Sequence, residues 1–320
     1  MCSFRPAYFL LVVLAYPASS FAQFNCNGTC EPSPSSPTYQ QQTVHARILS
    51  HNQRGNGNPV SANAGPVNFG SESYNYAIPV LFLPGRNGLN VSLTLFYNSR
   101  VWTIDKVNNK ATFNADRDFP SYGFRLGFGY LESFNNGQSY LLTEPDGTKR
   151  ALRLKSGTMD IFESYDSSYI DYNSTTKILR RKNGAQWLYE PGPTANIYRP
   201  IKITDTNGNY ISISYMSGEG FKDQAIATIV DTLGRTITFN YDANHKLISI
   251  VGPALGGGTK TYASFTWSQV PLNYNFASPL QVADTPTSGT QINILTECTY
   301  PNGTSYRFVY GDWGIVTKIE

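Results

Sequence analysis

The amino-acid sequence predicts an all-β protein in which consecutive β-hairpins form one continuous, meandering sheet. The first observation is a glycine followed seven residues later by a tyrosine, a phrase that occurs three times, at Gly208 and Tyr215, Gly234 and Tyr241, and Gly303 and Tyr310. The second is that apolar and polar residues alternate between each glycine and its tyrosine. This alternation places the apolar side chains on one face of a strand but not on one face of a helix. The third is composition: 22 tyrosines, 18 phenylalanines and 27 glycines among 320 residues favour strands and turns.

The N-terminus predicts export. A short basic segment, Met1–Arg5, precedes the apolar run Phe9–Ala15 and the small-x-small pattern Ser20–Ala22. This order is typical of a secretory signal peptide cleaved before Gln23, so we expect residues 1–22 to be removed and the protein to be secreted or held at the cell surface. The run is too short for a membrane span, which needs about 20 residues. No later segment is long and apolar enough to cross a bilayer as a helix.

Residues 23–72 form a low-complexity N-terminal segment. Glu31–Gln42 is rich in proline, serine and glutamine, and His51–Asn68 is polar and rich in glycine and asparagine. Such compositions bury too little apolar surface to form a packed core, so we expect an extended segment.

Four cysteines are present, of which Cys2 leaves with the signal peptide. Cys26 and Cys30 are close together, which invites a local disulfide in an exported protein, although spacing alone cannot decide whether they are bridged. A zinc site is poorly supported because no second cysteine pair or histidine pair accompanies them. Cys298 lies in an apolar strand pattern and is interpreted as a small core residue.

The first strongly patterned block is an N-terminal β-segment at 73–135. Two apolar strands, Tyr76–Leu83 and Leu89–Tyr97, flank Pro84–Gly88, whose Asn-Gly pair is a strong hairpin signal because both residues accept positive φ. Gly123–Leu131 follows as a glycine-rich strand, where glycine indicates a bend or a close approach of two backbones.

Residues 136–320 are predicted to be hairpin repeats. Five units share the form strand, turn with glycine, strand: Tyr140–Leu154, Ile178–Tyr189, Ile201–Tyr215, Ile226–Tyr241 and Ile294–Tyr310. A glycine- and proline-rich stretch at about 252–288 is predicted to be a loop insertion. After Tyr241 and after Tyr310 a further strand follows. Since no polar cap follows Ile319, we expect the sequence to be the N-terminal part of something longer, or to need a partner.

These residues resemble a known family. Asp231–Asp242 followed by Leu247–Ile250 is similar to the RHS/YD repeat, whose pattern is Asp-x-x-Gly-Arg, an alternating strand, Tyr-Asp, a turn and a strand. Ile78–Ser99 is similar to the segment that opens the shell of RHS proteins and of the related insecticidal-toxin shell subunits. Glu144–Thr148 fits the Asp-Gly-Thr unit of that region. The resemblance covers about Tyr74–Glu320.

The sequence departs from the family in three ways. Only the unit at Asp231 keeps both Gly-Arg and Tyr-Asp, His245 stands where the family usually has glycine, and Gly311 precedes Asp312 after Tyr310. The 320 residues contain neither the autoproteolytic segment of RHS proteins nor a terminal toxin domain, so activities that reside there are not transferred. The resemblance implies the opening part of a β-sheet shell that encloses or presents a C-terminal region.

The predicted function is therefore structural and non-enzymatic: a scaffold, related to polymorphic toxins, whose partner is a downstream shell region or C-terminal domain of a longer protein or a separate subunit. Nucleic acid is not an expected partner. The 25 basic and 22 acidic residues give a net charge of +3, without the concentrated basic stripe that nucleic-acid binding requires. Arg180–Lys182 is interpreted as a solvated turn.

No catalytic, cofactor-binding or metal-binding residue is predicted. His45 and His51 lie in the weakly patterned N-terminal segment, His245 lies in a turn, and no G-x-S-x-G elbow is present. Gly256–Lys260 lacks the spacing of a phosphate-binding loop. The acidic residues without a calcium-loop pattern, interpreted as solvated strand faces, are Asp160, Glu163, Asp166 and Asp171.

Two alternative functions are kept. A secreted carbohydrate-binding or adhesion module would present tryptophans to a cell-surface glycan, although aromatic residues on strands more often belong to the core. The tryptophans in question are Trp102, Trp187, Trp267 and Trp313. A secreted hydrolase is the third alternative.

Overall fold

The computed structural model describes residues 73–114 and 118–320, together with three two-residue strands nearer the N-terminus. Several predictions fall outside the described residues: the signal peptide (1–22), Cys26, Cys30, His45 and His51.

The described residues form β-strands joined by turns, which confirms the all-β prediction. The strands near the N-terminus and in the β-segment are β1 (Phe24–Asn25), β2 (Glu31–Pro32), β3 (Val67–Asn68), β4 (Ser73–Leu83), β5 (Val91–Asn98), β6 (Trp102–Asp105), β7 (Lys110–Phe113) and β8 (Phe124–Arg125). The next eight are β9 (Tyr130–Phe134), β10 (Ser139–Thr143), β11 (Lys149–Leu154), β12 (Ile161–Ser164), β13 (Asp171–Asn173), β14 (Ile178–Arg180), β15 (Gln186–Pro191) and β16 (Ile197–Thr204). The remaining strands are β17 (Tyr210–Tyr215), β18 (Ile226–Asp231), β19 (Thr236–Tyr241), β20 (Leu247–Pro253), β21 (Thr259–Leu272), β22 (Gln281–Val282), β23 (Thr290–Thr299), β24 (Ser305–Tyr310) and β25 (Val316–Ile319).

The predicted continuous meander is a 16-stranded sheet that runs from β9 to β25 and omits β22. Smaller sheets are built from β3, β4, β5 and β8, from β6, β7 and β22, and from β1 and β2. Short 3-10 turns cover Arg86–Gly88, Asn135–Gly137 and Asp312–Gly314. No α-helix occurs in the described residues.

The first half of the long sheet is a closed barrel, β9 to β16. Each strand pairs antiparallel with the next, and β16 pairs with both β15 and β9, placing Tyr198 opposite Leu131. Closure removes the free strand edge that an open sheet would have at this end. The interior is filled mainly by aromatic and leucine side chains: Leu131, Tyr140, Leu152, Phe162, Tyr172, Leu179 and Tyr189.

Strand β16 belongs to two structures at once. Its first residues pair with β9 and close the barrel, whereas Lys202–Thr204 pair with β17 and begin the open half of the sheet. From there β17 to β21 and β23 to β25 continue as antiparallel neighbours.

One face of the open half packs against the β4–β5 hairpin. Phe124, next to this hairpin, lies 4.7 Å from the Phe308 ring of β24, and the Tyr97 hydroxyl accepts a hydrogen bond of 2.8 Å from the backbone N–H of Val316. Buried residues of both layers form one apolar core that includes Ile78, Leu93, Leu95, Ile229, Ile250 and Leu295. Cys298 is fully buried in this core, as predicted, and burial raises the pKa of its thiol to about 12.

The three Gly–Tyr phrases fold into the same local structure. Each glycine has positive φ, at +80° for Gly208, +72° for Gly234 and +83° for Gly303, and donates its N–H to the carbonyl three residues earlier. Each strand then ends in a β-bulge immediately before the tyrosine on the side facing the next strand. A bulge bends a strand and redirects the next side chain.

The redirected tyrosines make a repeated hydrogen bond. Each hydroxyl donates to a backbone carbonyl of the preceding strand, 15 residues upstream. The pairs are Tyr215 with Pro200 (2.8 Å), Tyr241 with Ile226 (2.7 Å) and Tyr310 with Leu295 (2.8 Å). The sequence repeat is thus a structural device that ties a strand end to its hairpin partner.

Removing one of these hydroxyls is expected to lower stability modestly. The Tyr241→Phe variant retains the ring and leaves the Ile226 carbonyl without its donor, which should cost about 1 kcal/mol. Urea unfolding followed by circular dichroism measures this. Because each hydroxyl has its own acceptor, the triple variant with Tyr215→Phe and Tyr310→Phe should lose about three times as much. A triple variant as stable as the wild type would contradict the role assigned to the hydroxyls.

Two local predictions are corrected. Gly123–Leu131 is not one strand, because positive φ at Gly123, Gly127 and Gly129 breaks the chain into β8 and β9, which lie in different sheets. Within the loop predicted at 252–288, residues 259–272 form β21, the longest strand. Its buried Ala263 and Phe265 alternate with polar residues, a pattern that the flanking glycines and prolines obscured.

Candidate functional sites at the barrel mouth and the open sheet edge

His245, the predicted turn histidine, is structural. It has φ +61° in the position that glycine occupies in the related turns, and its ring packs 4.2 Å from Phe221. Its backbone N–H donates to Asp242, whose carboxylate accepts from the backbone of Asn244 and Lys246. The same turn occurs at Asp205 and Asp231.

The four tryptophans are half-buried and packed. Trp102 and Trp313 lie 6.0 Å apart in an aromatic cluster, and the indole N–H of Trp102 donates to the carbonyl of Trp313. The indole N–H of Trp267 donates to the carbonyl of Leu247, and the guanidinium of Arg181 covers the ring of Trp187 at 4.4 Å. These contacts assign the rings a packing role.

The acidic residues between Asp160 and Asp171 all have partners. Glu163 and Asp171 lie opposite each other on β12 and β13, and each has a basic partner: Lys155 at 3.2 Å from Glu163 and Arg180 at 3.8 Å from Asp171. Asp160 accepts from the Asn173 amide. Asp166 lies apart from them, in the β12–β13 loop. No group of three potential metal ligands occurs in the described residues.

A polar cleft lies at one mouth of the barrel. Connections between antiparallel strands alternate between the two ends of a barrel, so the β10–β11, β12–β13 and β14–β15 turns surround the same mouth. They enclose an open cleft of about 440 Å³. Its charged lining residues are Glu144, Arg150, Asp166, Arg181 and Lys182.

The charges at this mouth form a connected network. The carboxylate of Glu144 receives two hydrogen bonds from Arg181, at 2.9 and 2.8 Å, and lies 3.4 Å from the guanidinium of Arg150. Arg150 also pairs with Asp166. Partial burial raises the pKa of Asp166, but hydrogen bonds from Ser168 and Arg150 outweigh it and lower that pKa overall. Charge-assisted, two-point pairing of this kind fixes the geometry of the groups.

The network continues into the barrel. Arg181 stacks on Trp187, and the hydroxyl of Tyr189, whose side chain is almost fully buried, lies in the electrostatic field of Arg181 and Glu144. Among the described residues neither this hydroxyl nor the Nε of Arg181 has a hydrogen-bond partner.

Sequence reasoning missed this site. The interpretation of Arg180–Lys182 as a solvated turn holds for Arg180 and Lys182, which are exposed, but not for Arg181. Its side chain turns inward because Glu144, 37 residues earlier, lies across the mouth. No local sequence pattern predicts such a pairing. The one available signal was an acidic residue, Glu144, beside the Asp-Gly turn.

A half-buried lysine lies elsewhere and acts structurally. The ammonium of Lys222 donates to the carbonyls of Asp118 and Pro120 and lies 5.3 Å from the ring of Tyr122. Burial lowers the pKa of Lys222 to about 8, opposed by the charge of Asp118. Since its donors are engaged by backbone oxygens, Lys222 fixes the 118–122 loop.

The second candidate site is the open edge of the long sheet. Barrel closure removes the free edge at one end, and at the other end β25 pairs with β24 alone among the described residues. Glu320 and Arg307 exchange both backbone hydrogen bonds, so by antiparallel alternation the N–H of Ile319 points away from β24. Such an edge is a template for another strand.

Buried and half-buried tyrosines predict alkaline unfolding. Burial raises the pKa of Tyr172, Tyr215, Tyr241 and Tyr310, so the folded state binds their protons more tightly than the unfolded chain. The stability that they contribute is complete below pH about 10, the ordinary tyrosine pKa, and is lost as pH rises above it. Tyrosinate absorbance and circular dichroism against pH should show late ionisation coupled to loss of the sheet. Full ionisation near pH 10 in the folded protein would contradict this.

Comparisons with known proteins found structural similarity without sequence matches. No protein-family model and no curated protein sequence matches the chain. A solved structure described as TcdB2-TccC3-Cdc42 is 9% identical, with a TM-score of 0.48, over 75% of this chain and 16% of that chain. The N-terminal domain of effector protein SpvB from Salmonella typhimurium strain LT2 is 10% identical, with a TM-score of 0.33, over 77% of this chain and 97% of that chain. Similarities at this level add nothing to the strand pairing described above. No helix in the described part of the chain is long and apolar enough to cross a membrane.

Proposed function

We propose that this chain is a secreted or surface-held structural scaffold: the opening part of an RHS/YD-type β-shell that is continued by a partner strand added to β25. The observation that carries the proposal is the asymmetry of the long sheet. One end is closed by β16 pairing with β9, and the other ends in β25, whose outer edge is unpaired within the described residues.

The edge is suited to receive a strand. Val316 is buried and Ile319 packs against the core formed with the β4–β5 hairpin, so the strand is held in place before a partner arrives. Thr317 and Lys318 are exposed on the other face. An added strand would pair its backbone with β25 and extend the same two-layer packing.

The partner is a downstream shell region or C-terminal domain, encoded after Glu320 or as a separate subunit. No catalytic step is assigned to this chain, and export by residues 1–22 is part of the proposal. The resemblance of Asp231–Asp242 and Ile78–Ser99 to RHS proteins supports this class.

The test is binding of the segment encoded directly downstream of Glu320 to the mature chain, with hydrogen exchange as the readout. We expect capture of that segment and slowed exchange of the outward-pointing N–H of Ile319. The Ile319→Pro variant removes the outward N–H and should abolish capture, because proline cannot donate to a ladder. Ile319→Val, which retains the N–H, should bind as the wild type does.

Capture without protection of β25, or undiminished capture by Ile319→Pro, would show that the edge is not the joining surface. A compact, monomeric mature chain with measurable hydrolase activity would show that the protein is an enzyme and that the scaffold proposal is wrong.

A further inference from the structure

The barrel mouth has the form of a ligand site. The mouths of β-barrels are places where small molecules commonly bind, because strand ends and turns converge there around a concave surface. The cleft of about 440 Å³ is large enough for a ligand of a few rings, and eight of its nine lining residues have polar side chains. Only Ile170 among the lining residues is aliphatic.

The carboxylates of this cleft are already satisfied, whereas several donors are not. Glu144 and Asp166 are both paired with arginine. The ammonium of Lys182 is exposed at the rim, and no hydrogen bond or ion pair engages it within the described residues. With three basic and two acidic side chains the lining carries a net charge of +1. The groups of the cleft that are still free to bind a ligand are therefore a cation and hydrogen-bond donors, which suit a ligand oxyanion.

Two buried polar atoms at the bottom of this network add an independent observation. The residue Tyr189 is 2% exposed. Among the described residues neither its hydroxyl nor the Nε of Arg181 has a hydrogen-bond partner. Buried polar atoms normally have a partner, and of these two residues Arg181 lines the cleft, so its Nε is an unused donor for an oxygen acceptor or a water there.

Exposed aromatic rings lie on the loop that forms one side of the mouth. Tyr165 and Tyr169 flank the lining residues Asp166–Ser168 and are 64% and 74% exposed. Ser167 and Tyr169 have φ of +61° and +53°, which is costly for residues other than glycine. The strain is held by hydrogen bonds from Ser168 to Asp166 and Ser164. Strained backbone is frequent at ligand-binding segments, and here it presents two exposed tyrosines beside the cleft.

We propose that the barrel mouth binds an acidic saccharide, with its carboxylate or sulfate at Lys182 and the arginine pair and a sugar ring against Tyr169. Serine and asparagine side chains of the same lining, Ser167 and Asn183, offer hydrogen bonds to sugar hydroxyls. The apolar face of a pyranose packs on an aromatic ring, and the oxyanion provides the charged contact. This site lies on the barrel, away from the β25 edge, and goes beyond the proposed scaffold function.

The experiment titrates the mature chain with trigalacturonate, with dextran sulfate oligosaccharide, with neutral maltotriose and with inorganic sulfate, by calorimetry at low salt. We expect saturable binding of at least one acidic oligosaccharide. Lys182→Ala and Tyr169→Ala, both at exposed positions, should each weaken it at least about tenfold. The matched controls Lys260→Ala and Met159→Ala, exposed positions away from this mouth, should bind as the wild type does.

Each other outcome overturns the inference. Absence of binding to both acidic oligosaccharides removes the site. Equal binding of maltotriose shows that the oxyanion is not recognised, and equal binding of inorganic sulfate shows that the sugar is not. Binding that Lys260→Ala weakens as much as Lys182→Ala is general charge attraction. None of these results bears on the capture of a strand at β25, so the two proposals fail separately.

Discussion

Replacing Gly129 with alanine is expected to destabilise the protein by at least about 3 kcal/mol, because two separate costs coincide at this residue. Its φ is +73°, a region that residues with a side chain rarely adopt. An added Cβ would lie 2.0 Å from the carbonyl oxygen of Thr143 and 3.1 Å from the carbonyl carbon of Glu144. Both are backbone atoms, so no side chain can move aside.

The backbone at Thr143 and Glu144 cannot move away from the added methyl group either. Thr143 is the last residue of β10, inside the closed ring, and Glu144 holds Arg181 across the mouth. Relief would require β9 and β10 to separate where the barrel begins. Equilibrium unfolding in urea, followed by circular dichroism, measures the loss.

The matched control is Gly157→Ala. Gly157 has φ +78°, but an added Cβ would meet nothing within 4 Å. This variant pays only for its backbone conformation, about 1 kcal/mol. The difference between the two variants isolates the collision with Thr143. Equal losses would mean that the barrel closes less tightly at this point than the structure shows.

Asp231→Ala is expected to cost about 3 kcal/mol, the range found when one partner of a buried charge pair is removed. The side chain of Asp231 is 2% exposed. Its carboxylate accepts from the backbone of Leu233 and Arg235, at 3.0 Å each, and from the guanidinium of Arg235, whose Nε lies at 2.8 Å. Arg235 in turn donates to the carbonyl of Pro84 in the β4–β5 hairpin. The substitution therefore loosens a turn and its link to the facing layer together.

Asp242→Ala provides the comparison. Asp242 caps the same kind of turn through the backbone of Asn244 and Lys246, without an arginine of its own. Its loss should cost about 1 kcal/mol, the usual value for a capping carboxylate. Thermal and urea unfolding of both variants measure the loss of stability. If Asp242→Ala loses as much stability as Asp231→Ala, the ion pair with Arg235 makes no additional contribution.

The hairpins were predictable because each is specified by neighbouring residues. A glycine that tolerates positive φ, followed by alternating side chains, determines turn and strand within about a dozen positions, and β16–β17, β18–β19 and β23–β24 follow that pattern. Strand β21 was not predicted because Gly256–Gly258 just before it and Pro271 near its end dominate the local composition.

Closure of the barrel was not predictable in this way. It depends on β16 meeting β9, with Tyr198 opposite Leu131 across 67 positions of sequence, and nothing near either residue specifies the other. The same holds for the cleft, where Glu144 and Arg181 are brought together by the ring and not by spacing. Long-range pairing, set by the total number and stagger of strands, decides both.

Because β16 is shared by the barrel and the open half of the sheet, the two parts can vary separately during evolution. Its leading residues complete the ring and its trailing residues offer a ready-made platform on which hairpins are laid down one after another. Units can therefore be gained or lost downstream by duplication or deletion while the ring upstream stays intact. The number of hairpins can then change by one unit at a time without altering the ring.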